Sequence, residues 1–363
     1  MSAKIKVGIV GAGGMASYHY DGFVAAGAEV AAIADGNTER AQSLAKIRPV
    51  GKIFAGLTEM LKACPELDAV SVITPNKFHK PLSIEALEAG KHVFCEKPPA
   101  LNAGEMAQML ATAKAAGKTL MFNFNNRARP EAQAVMRYIN EGAAGKINSA
   151  QASWIRRAGI PGFGGWFTTK ELAGGGAVID LPHMLDLALH FMGYPEPAWC
   201  LATVFGDFMD NKAFKGPWGI LDSANGISDV ESACHAMITF KTGQTLSVRC
   251  SWAEFIEREV VSVTFQGTKA GGKVERLFGI DGVDATSIDT CRLFTEEHGN
   301  QVNRDIVTAK DETMGRVGMA ANFIGAIAGK EKALNTAEEA LALMKIVDAM
   351  YKSAAEKKPV EFV

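Results

Sequence analysis

The chain has 363 residues, of which 48% are hydrophobic and 21% are charged, and its formal net charge is −2. This balance is typical of a globular protein of two domains, and it gives no electrostatic attraction to nucleic acid or to an anionic membrane. No apolar run approaches the ~20 residues of a membrane span, no secretion signal is evident, and the six cysteines are dispersed, so we expect reduced thiols, a cytoplasmic location and no metal site.

A glycine-rich segment follows the first apolar strand. Residues 5–10 lead into Gly11-Ala12-Gly13-Gly14-Met15-Ala16, and a second apolar strand ends at Asp35. Gly11 permits a tight turn, Gly13 permits close approach of the backbone to a pyrophosphate, and Ala16 lets the next helix pack closely. An acid at the position of Asp35 binds ribose hydroxyls. The pattern predicts a dinucleotide site formed by Gly11, Gly13, Gly14, Met15, Ala16 and Asp35; the alternative is an ordinary strand–turn–helix connection without a ligand.

Strand-like and helix-like patterns alternate over residues 1–125, which predicts an α/β fold with a doubly wound parallel sheet of the Rossmann type. Beyond this point, hairpin-spaced strands predict an α+β domain, residues 126–363, with a large open antiparallel sheet. This division leaves open that the C-terminal helices pack on the first domain. A single helix is predicted over 180–192, and 269–311 is predicted as loops because of its glycines and mixed charge.

Two motifs follow strands of the first sheet, at the edge where such sheets bind ligands. Glu96-Lys97-Pro98 ends the fifth strand, and Glu96 and Lys97 are expected to contact the cofactor. Lys97 at this position can also hold a substrate hydroxyl and stabilise charge on its oxygen. The alternative is a solvated surface lysine. Thr74-Pro75-Asn76 ends the preceding strand and suits a loop beneath a nicotinamide and ribose. His79 either belongs to that cofactor site or contacts the loop backbone, and the second role is favoured.

Another candidate site begins at Gly174-Gly175-Gly176, which is followed by Asp180 and His183. On one helix, the spacing of three residues puts the carboxylate and the imidazole on the same face. The carboxylate then orients the imidazole, which takes a hydroxyl proton. The alternative is a helix cap at Asp180 and a packing role for His183. Arg156 and Trp166 lie in flanking motifs that are typical either of sugar contacts or of core packing.

The order of these motifs resembles the Gfo/Idh/MocA family of nicotinamide-dependent oxidoreductases over nearly the whole chain. The resemblance includes Thr74-Pro75-Asn76 with His79, Glu96-Lys97-Pro98, Asn125-Asn126-Arg127, and the glycines before Asp180 and His183. It implies a polyhydroxylated substrate, NAD(P), and a homodimer or homotetramer formed through the antiparallel sheet. The family's catalytic lysine, aspartate and histidine fall on Lys97, Asp180 and His183, and Asn125 and Arg127 are expected to contact substrate.

The resemblance predicts hydride transfer between a nicotinamide and a ring secondary hydroxyl or ketone of a sugar or cyclitol. Alternatives are an NAD-dependent glycosidase that uses transient oxidation, and a non-catalytic sensor of dinucleotide or sugar. NAD is expected rather than NADP because Asp35 repels a 2′-phosphate, with Arg40 as the nearest cation. The family spaces its aspartate and histidine four apart, whereas here they are three apart. A shift of one helical position turns a side chain by ~100°. If this turn points His183 away from the substrate, Lys97 or a water transfers the proton instead.

Overall fold

The computed structural model describes residues 4–217, 219–278 and 288–362. The chain forms two compact units. The first comprises the chain up to Arg129 together with Asp311–Met344, and the second comprises Pro130–Lys310 together with the chain from Lys345 onward. The predicted division into 1–125 and 126–363 assigned 311–344 to the second domain and allowed for its helices to pack on the first.

The first unit is built on a six-stranded parallel sheet. Its strands are β1 (Lys6–Val10), β2 (Glu29–Ala34), β3 (Lys52–Phe54), β4 (Ala69–Val72), β5 (His92–Cys95) and β6 (Leu120–Phe122). They lie in the order β3-β2-β1-β4-β5-β6. Runs such as β4, in which every residue is buried, are covered on both faces and therefore suit a parallel sheet. The order reverses between β1 and β4, and the carboxyl ends of the strands at such a point form a ligand-binding crevice. The predicted doubly wound sheet is confirmed.

Helices connect these strands and end where the sequence provides caps. They are α1 (Ala16–Ala25), α2 (Thr38–Ile47), α3 (Leu57–Ala63), α4 (His79–Glu88) and α5 (Ala103–Ala116). Asn102 Oδ1 accepts a hydrogen bond from the Glu105 backbone N–H at 2.9 Å, and Gly117 ends α5 in the left-handed conformation. Short polar residues such as Asn102 favour the N-cap position of a helix, and glycines such as Gly117 favour its C-terminal end.

A later helix of the first unit packs against α1. This helix is α10 (Arg316–Ile327). A Cβ atom on Gly22 of α1 would lie 2.5 Å from the carbonyl oxygen of Val317, so glycine allows the two helices to approach closely. Phe323 of α10 stacks on Phe94 of β5 with ring centroids 5.2 Å apart, and both rings are fully buried. These contacts explain why 311–344 groups with the first unit.

The second unit is built on a nine-stranded sheet. Its strands are β7 (Ile147–Ile155), β8 (Pro197–Phe205), β9 (Ala233–Phe240), β10 (Thr245–Ser251), β11 (Val260–Gly267), β12 (Gly271–Leu277), β13 (Ile288–Glu297), β14 (Asn300–Asp305) and β15 (Val360–Glu361). Their order is β14-β13-β12-β11-β7-β10-β9-β8-β15. All neighbours are antiparallel except β7 and β10. The predicted large antiparallel sheet is confirmed, with this one parallel pair as an addition.

The prediction of loops over 269–311 is wrong for much of that segment. It contains β12, β13 and β14, which continue the sheet from β11. Strand β12 carries the charged residues Lys273, Glu275 and Arg276, and β14 at the edge is polar and mostly exposed. Such strands gain stability from cross-strand pairs such as Arg276 with Asp289, so their sequences lack a continuous apolar run. Residues 279–287 lie outside the described part of the chain.

The remaining helices are α6 (Pro130–Asn140), α7 (Lys170–Ala173), α8 (Ala177–Asp180), α9 (His183–Met192) and α11 (Ala337–Glu356). Helices α6 and α9 cover one face of the second sheet. On the opposite face alternate side chains are exposed, with Leu201 opposite Met237 and Thr203 opposite His235. Within the described residues, no single helix has the length and apolar composition of a membrane span, although the bent pair 170–180 and 183–192 passes the test together.

Candidate active site

The glycine turn after β1 requires glycine at its first position. Gly11 has a φ of +97°, and a Cβ there would lie 2.1 Å from the carbonyl oxygen of Ile73. Its N–H donates to the Ala34 carbonyl at 2.8 Å. The turn therefore lies against the ends of β2 and β4. At Gly13 and Gly14 a Cβ would meet nothing within 4 Å, so the surface above these residues is open to a ligand.

Asp35 lies at the end of β2 and organises this turn. Its Oδ2 accepts a hydrogen bond from the Ala12 N–H at 2.7 Å, and its Oδ1 accepts one from the Asn37 N–H at 2.7 Å. A carboxylate oxygen has two lone pairs, so each oxygen retains acceptor capacity for a ribose hydroxyl. That ribose contact stays a prediction.

The loop after β4 carries the predicted Thr74-Pro75-Asn76 motif and is held by His79. The ring of His79 is fully buried, with Nδ1 2.7 Å from the Pro98 carbonyl oxygen and Nε2 2.8 Å from that of Thr74. Burial lowers the pKa of His79. Because both ring nitrogens face main-chain oxygens, His79 joins the loops after β4 and β5. These contacts match the favoured role of His79, contact with the loop backbone, and a direct cofactor contact stays a prediction.

Glu96 and Lys97 follow β5. The Glu96 carboxylate accepts hydrogen bonds from His19 Nε2 at 2.8 Å, Asn123 Nδ2 at 2.7 Å and the Lys97 N–H at 3.0 Å. Burial acts to raise the pKa of Glu96, but the hydrogen bonds from His19 and Asn123 and the charge of Lys97 prevail and lower it to about 2. Glu96 is thus bonded to three protein groups, and its contact with the cofactor stays a prediction. Lys97 is half-buried at this edge of the sheet.

These residues fit a nicotinamide dinucleotide. Helix α1 begins at Ala16, and Met15 before it makes no side-chain capping bond, which leaves the helix N-terminus suited to phosphate. Thr74 Oγ1 is buried and has no hydrogen-bond partner among the described residues. Since buried polar atoms are nearly always paired, a ligand group is the expected partner.

In the second unit, the triple glycine accommodates other side chains. A Cβ on Gly175 would lie 1.9 Å from Tyr351 Oη, and one on Gly176 would lie 1.9 Å from the Glu231 carbonyl oxygen. Glu231 Oε1 accepts hydrogen bonds from the N–H groups of Gly176 and Val178 at 3.0 Å and from Tyr351 Oη at 2.9 Å. Burial raises the pKa of Glu231. Glycine at these positions therefore leaves room for the Tyr351 side chain and the Glu231 backbone.

Asp180 and His183 lie on two helices, which corrects the prediction of one helix over 180–192. Asp180 ends α8 and His183 begins α9, and the helical segments on either side are bent by 52°. Pro182 lacks an N–H and disfavours the helical conformation of the residue before it. The argument that spacing of three residues places both side chains on one face therefore does not apply.

Asp180 belongs to a buried cluster with two tryptophans and Arg156. Its Oδ2 accepts a hydrogen bond from Trp252 Nε1 at 2.8 Å and lies 3.8 Å from Arg156 Nη1. Arg156 lies over Trp154 at 5.4 Å from its ring centroid, and His183 lies 5.3 Å from the same ring. Three predicted site residues, Arg156, Asp180 and His183, therefore come together.

The charge of Arg156 is compensated inside this cluster. Burial lowers the pKa of Arg156, whereas Asp180 and Glu259 act to raise it. Glu259 Oε1 lies 3.8 Å from Arg156 Nε. The carboxylates of Asp180 and Glu259 therefore both lie beside Arg156 and balance its positive charge, which makes the guanidinium less suited to binding an anionic ligand.

Asn125 and Arg127 make structural contacts within the first unit, and their substrate contacts stay a prediction. Arg127 is fully buried, and its Nη1 donates to the Leu334 carbonyl and to Glu339 Oε2, both at 2.7 Å. Asn125 Nδ2 donates to the Met314 carbonyl at 2.6 Å. Trp166 is half-buried and stacks on Phe167, so its substrate contact stays a prediction.

Several residues of these clusters were missed by the sequence analysis: His19, Ser71, Asn123, Glu231, Trp252 and Glu259. The available signal was a polar residue inside an apolar element, such as Ser71 in β4 or His19 in α1. Buried polar groups need partners, but a single sequence does not show which of them meet.

The comparisons with known proteins agree with this geometry. The family described as "Oxidoreductase family, NAD-binding Rossmann fold" matches residues 5–124, and the "GFO/IDH/MocA C-terminal domain" matches residues 132–271. The D-glucoside 3-dehydrogenase of Escherichia coli is 32% identical over 99% of this chain and 98% of its own length.

More distant relatives share the architecture. The 1,5-anhydro-D-fructose reductase of Ensifer adhaerens is 29% identical over 72% of this chain and 78% of its own length. A levoglucosan dehydrogenase solved with NADH superposes with a TM-score of 0.83 at 23% identity, covering 99% of both chains, which shows the shared fold. The chain belongs to the Gfo/Idh/MocA family of oxidoreductases, and its first sheet is the NAD-binding Rossmann domain of that family.

Proposed function

We propose that this oxidoreductase interconverts a ring secondary hydroxyl and a ketone of a sugar or a close derivative, with NAD as the redox partner. The observation that carries the proposal is Lys97, half-buried directly after the ionised Glu96 at the carboxyl end of β5. The relatives named for glucoside oxidation and anhydrofructose reduction support this substrate class. NAD, when bound, supplies the hydride acceptor or donor.

Lys97 holds and polarises the substrate oxygen. Its ammonium donates a hydrogen bond to the hydroxyl and stabilises negative charge that develops on the oxygen as its proton leaves. Glu96 remains an acceptor for the Lys97 main chain, so the side chain of Lys97 starts from a fixed position.

His183 takes the hydroxyl proton, and Asp180 orients the groups around it. Asp180 is itself fixed by Trp252 and Arg156. The compensated charge of Arg156 favours an uncharged sugar over a phosphorylated one.

NAD is the proposed cofactor in preference to NADP. Asp35 keeps a carboxylate beside the glycine turn, and this charge repels a 2′-phosphate. The exposed Leu201 and Met237 lie opposite each other on the second sheet, which supports a homodimer or homotetramer formed through that face. All six cysteines are free and buried, which supports a cytoplasmic location.

A substrate screen tests the proposed reaction. Neutral aldoses, glucosides, anhydrosugars and cyclitols are each incubated with NAD, and NADH is followed by its absorbance. We expect NADH formation with at least one neutral sugar and a recovered keto sugar. Release of a free sugar without net NADH would instead indicate glycosidic cleavage, and saturable binding without any conversion would indicate a sensor.

A further inference from the structure

We propose that His19 is a positioning residue for Lys97: it holds the buried carboxylate of Glu96, and that carboxylate fixes the main chain and the charge environment of Lys97. The inference rests on the proposed role of Lys97 and adds a residue that no sequence motif assigned.

The geometry places four polar side chains from four elements together. His19 of α1, Ser71 of β4, Glu96 after β5 and Asn123 after β6 are each at least nine-tenths buried. His19 Nδ1 lies 2.8 Å from Ser71 Oγ, and His19 Nε2 lies 2.8 Å from Glu96 Oε1. His19 is therefore the link between the helix that follows the glycine turn and the strand end that carries Lys97.

The hydrogen bonds of this cluster specify which atom donates. An ionised carboxylate only accepts, so His19 Nε2 and Asn123 Nδ2 both donate to Oε1 of Glu96, while the Lys97 N–H donates to Oε2. The Ser71 hydroxyl is then available to donate to His19 Nδ1. With this pattern the imidazole has one defined tautomer and one defined orientation.

The charged and titratable groups that face Glu96 come from three elements. They are His19 of α1, His79 at the start of α4, and Cys95 and Lys97 on either side of Glu96 in the chain. The hydrogen bond from His19 opposes the effect of burial on the pKa of Glu96. Without His19, Glu96 loses a hydrogen bond that opposes the effect of burial. The pKa of Glu96 therefore rises, and its carboxylate takes up a proton at a higher pH. A protonated Glu96 no longer offers Lys97 a negative neighbour.

The test compares His19→Leu, His19→Gln, Glu96→Gln and the double variant His19→Leu/Glu96→Gln with the wild type. His298→Asn serves as the control, since His298 is exposed on the turn between β13 and β14. Two properties are measured between about pH 5 and about pH 8, the range in which a displaced carboxyl pKa becomes visible. One is kcat/KM for the sugar with NAD; the other is the rate at which a neutral acylating reagent labels Lys97, read by peptide mass spectrometry. NADH affinity at neutral pH reports an intact cofactor site.

We expect kcat/KM of His19→Leu to fall about tenfold or more on acidification relative to the wild type and to His298→Asn, which show only the acid-side loss that protonation of the base His183 causes. His19→Gln, which keeps a donor for Glu96, recovers the wild-type profile. The double variant loses this additional fall because residue 96 no longer carries a carboxyl that titrates. Acylation of Lys97 rises in His19→Leu and Glu96→Gln relative to the wild type.

A His19→Leu variant with the wild-type pH profile and the wild-type acylation rate would overturn the inference. If His19→Leu does not fold, Ser71→Ala, which releases His19 Nδ1, is expected to show the same change with smaller amplitude. If the wild type converts no sugar, the proposed function fails, and the acylation of Lys97 still decides the role of His19.

Discussion

Two buried arginines illustrate how the surroundings of a residue decide its role. Arg127 is fully buried and bonded to Glu339 and to the Leu334 carbonyl, so it supports the first unit. Arg156 lies beside Asp180, Glu259 and Trp154, among residues with candidate chemistry. From sequence, Arg127 was expected to contact substrate, and Arg156 was assigned either to a sugar contact or to core packing. The sequence does not separate these roles, because it does not show which carboxylate each arginine meets.

Lys97 gives the sharpest prediction at the residue scale. We expect Lys97→Ala to lower kcat about 100-fold or more, since loss of one donor to a developing oxyanion has this magnitude. NADH affinity, measured by fluorescence titration, is expected to change little. The control is Lys118→Ala, a lysine that precedes β6 at the opposite edge of the sheet. A Lys97→Ala variant with near-normal turnover removes this lysine from the mechanism.

Substitution of Trp252 tests whether the reaction requires Asp180 to be fixed in its position. Trp252→Phe removes the Nε1–H that Asp180 Oδ2 accepts at 2.8 Å, and a buried acceptor left without its donor costs about 1–3 kcal/mol of stability. We expect a lower free energy of unfolding together with reduced kcat and unchanged NADH affinity. Wild-type kcat in the folded variant would show that the reaction does not depend on the position of Asp180.

At the scale of elements, backbone residues with special conformations determine where the site groups lie. Pro182 separates α8 from α9, so Asp180 and His183 lie on helices bent by 52°. Gly175 and Gly176 make room for Tyr351 and Glu231, and Glu231 satisfies the N–H groups at the start of α8.

Local signals predicted the elements well where they act over a few residues. A capping box, a serine or threonine with a glutamate three residues later, begins α11: the Thr336 N–H donates to Glu339 Oε2 at 3.1 Å and the Glu339 N–H donates to Thr336 Oγ1 at 3.2 Å. The turn at Gly243, with a φ of +82°, joins β9 to β10 as a hairpin. The polar strands of 269–311 and the bend at Pro182 were missed, because sheet pairing and tertiary packing decide them and local periodicity does not.

Glu339 provides an element-scale test with a neighbouring control. Glu339→Ala removes both a capping-box partner and the carboxylate that pairs with the buried Arg127. Because the Glu339 side chain is 28% exposed, we expect a loss of stability below the ~3–5 kcal/mol of a fully buried pair and above that of an exposed pair. Glu338→Ala removes only an exposed ion pair with Lys114, expected to contribute less than about 1 kcal/mol. Urea unfolding of the two variants measures the difference. Equal losses of stability would contradict the assigned role of Glu339.

At the scale of the whole molecule, the chain combines a doubly wound parallel sheet with a nine-stranded sheet that exposes one face. Both sheets were predictable from sequence, since the alternation of strand and helix patterns and the hairpin spacing of strands are visible in the chain itself. The return of 311–344 to the first unit depends on the contact of α10 with α1 through Gly22, and the sequence pattern of either helix alone does not reveal it.

The exposed face of the second sheet predicts the assembly. Leu201 and Met237 are 43% and 46% exposed in the isolated chain and occupy paired positions on β8 and β9. We expect the double variant Leu201→Glu/Met237→Glu to have a smaller mass than the wild type in light scattering, because like charges would meet in a symmetric interface. Phe255→Glu, at a side chain that is 85% exposed outside the strands, is the control. A wild-type protein that is monomeric at micromolar concentration would refute the proposed oligomer.

The central claim, NAD-dependent chemistry on a sugar hydroxyl, is tested most directly by one comparison. NAD and NADP are each supplied to the wild-type protein with the best neutral sugar of the screen, and the initial rate of nicotinamide reduction is measured. The account predicts saturable reduction of NAD, a much lower kcat/KM with NADP because of Asp35, and recovery of the keto sugar in equal amount. Absence of saturable NADH binding, or no reduction of either coenzyme with any sugar, would contradict it.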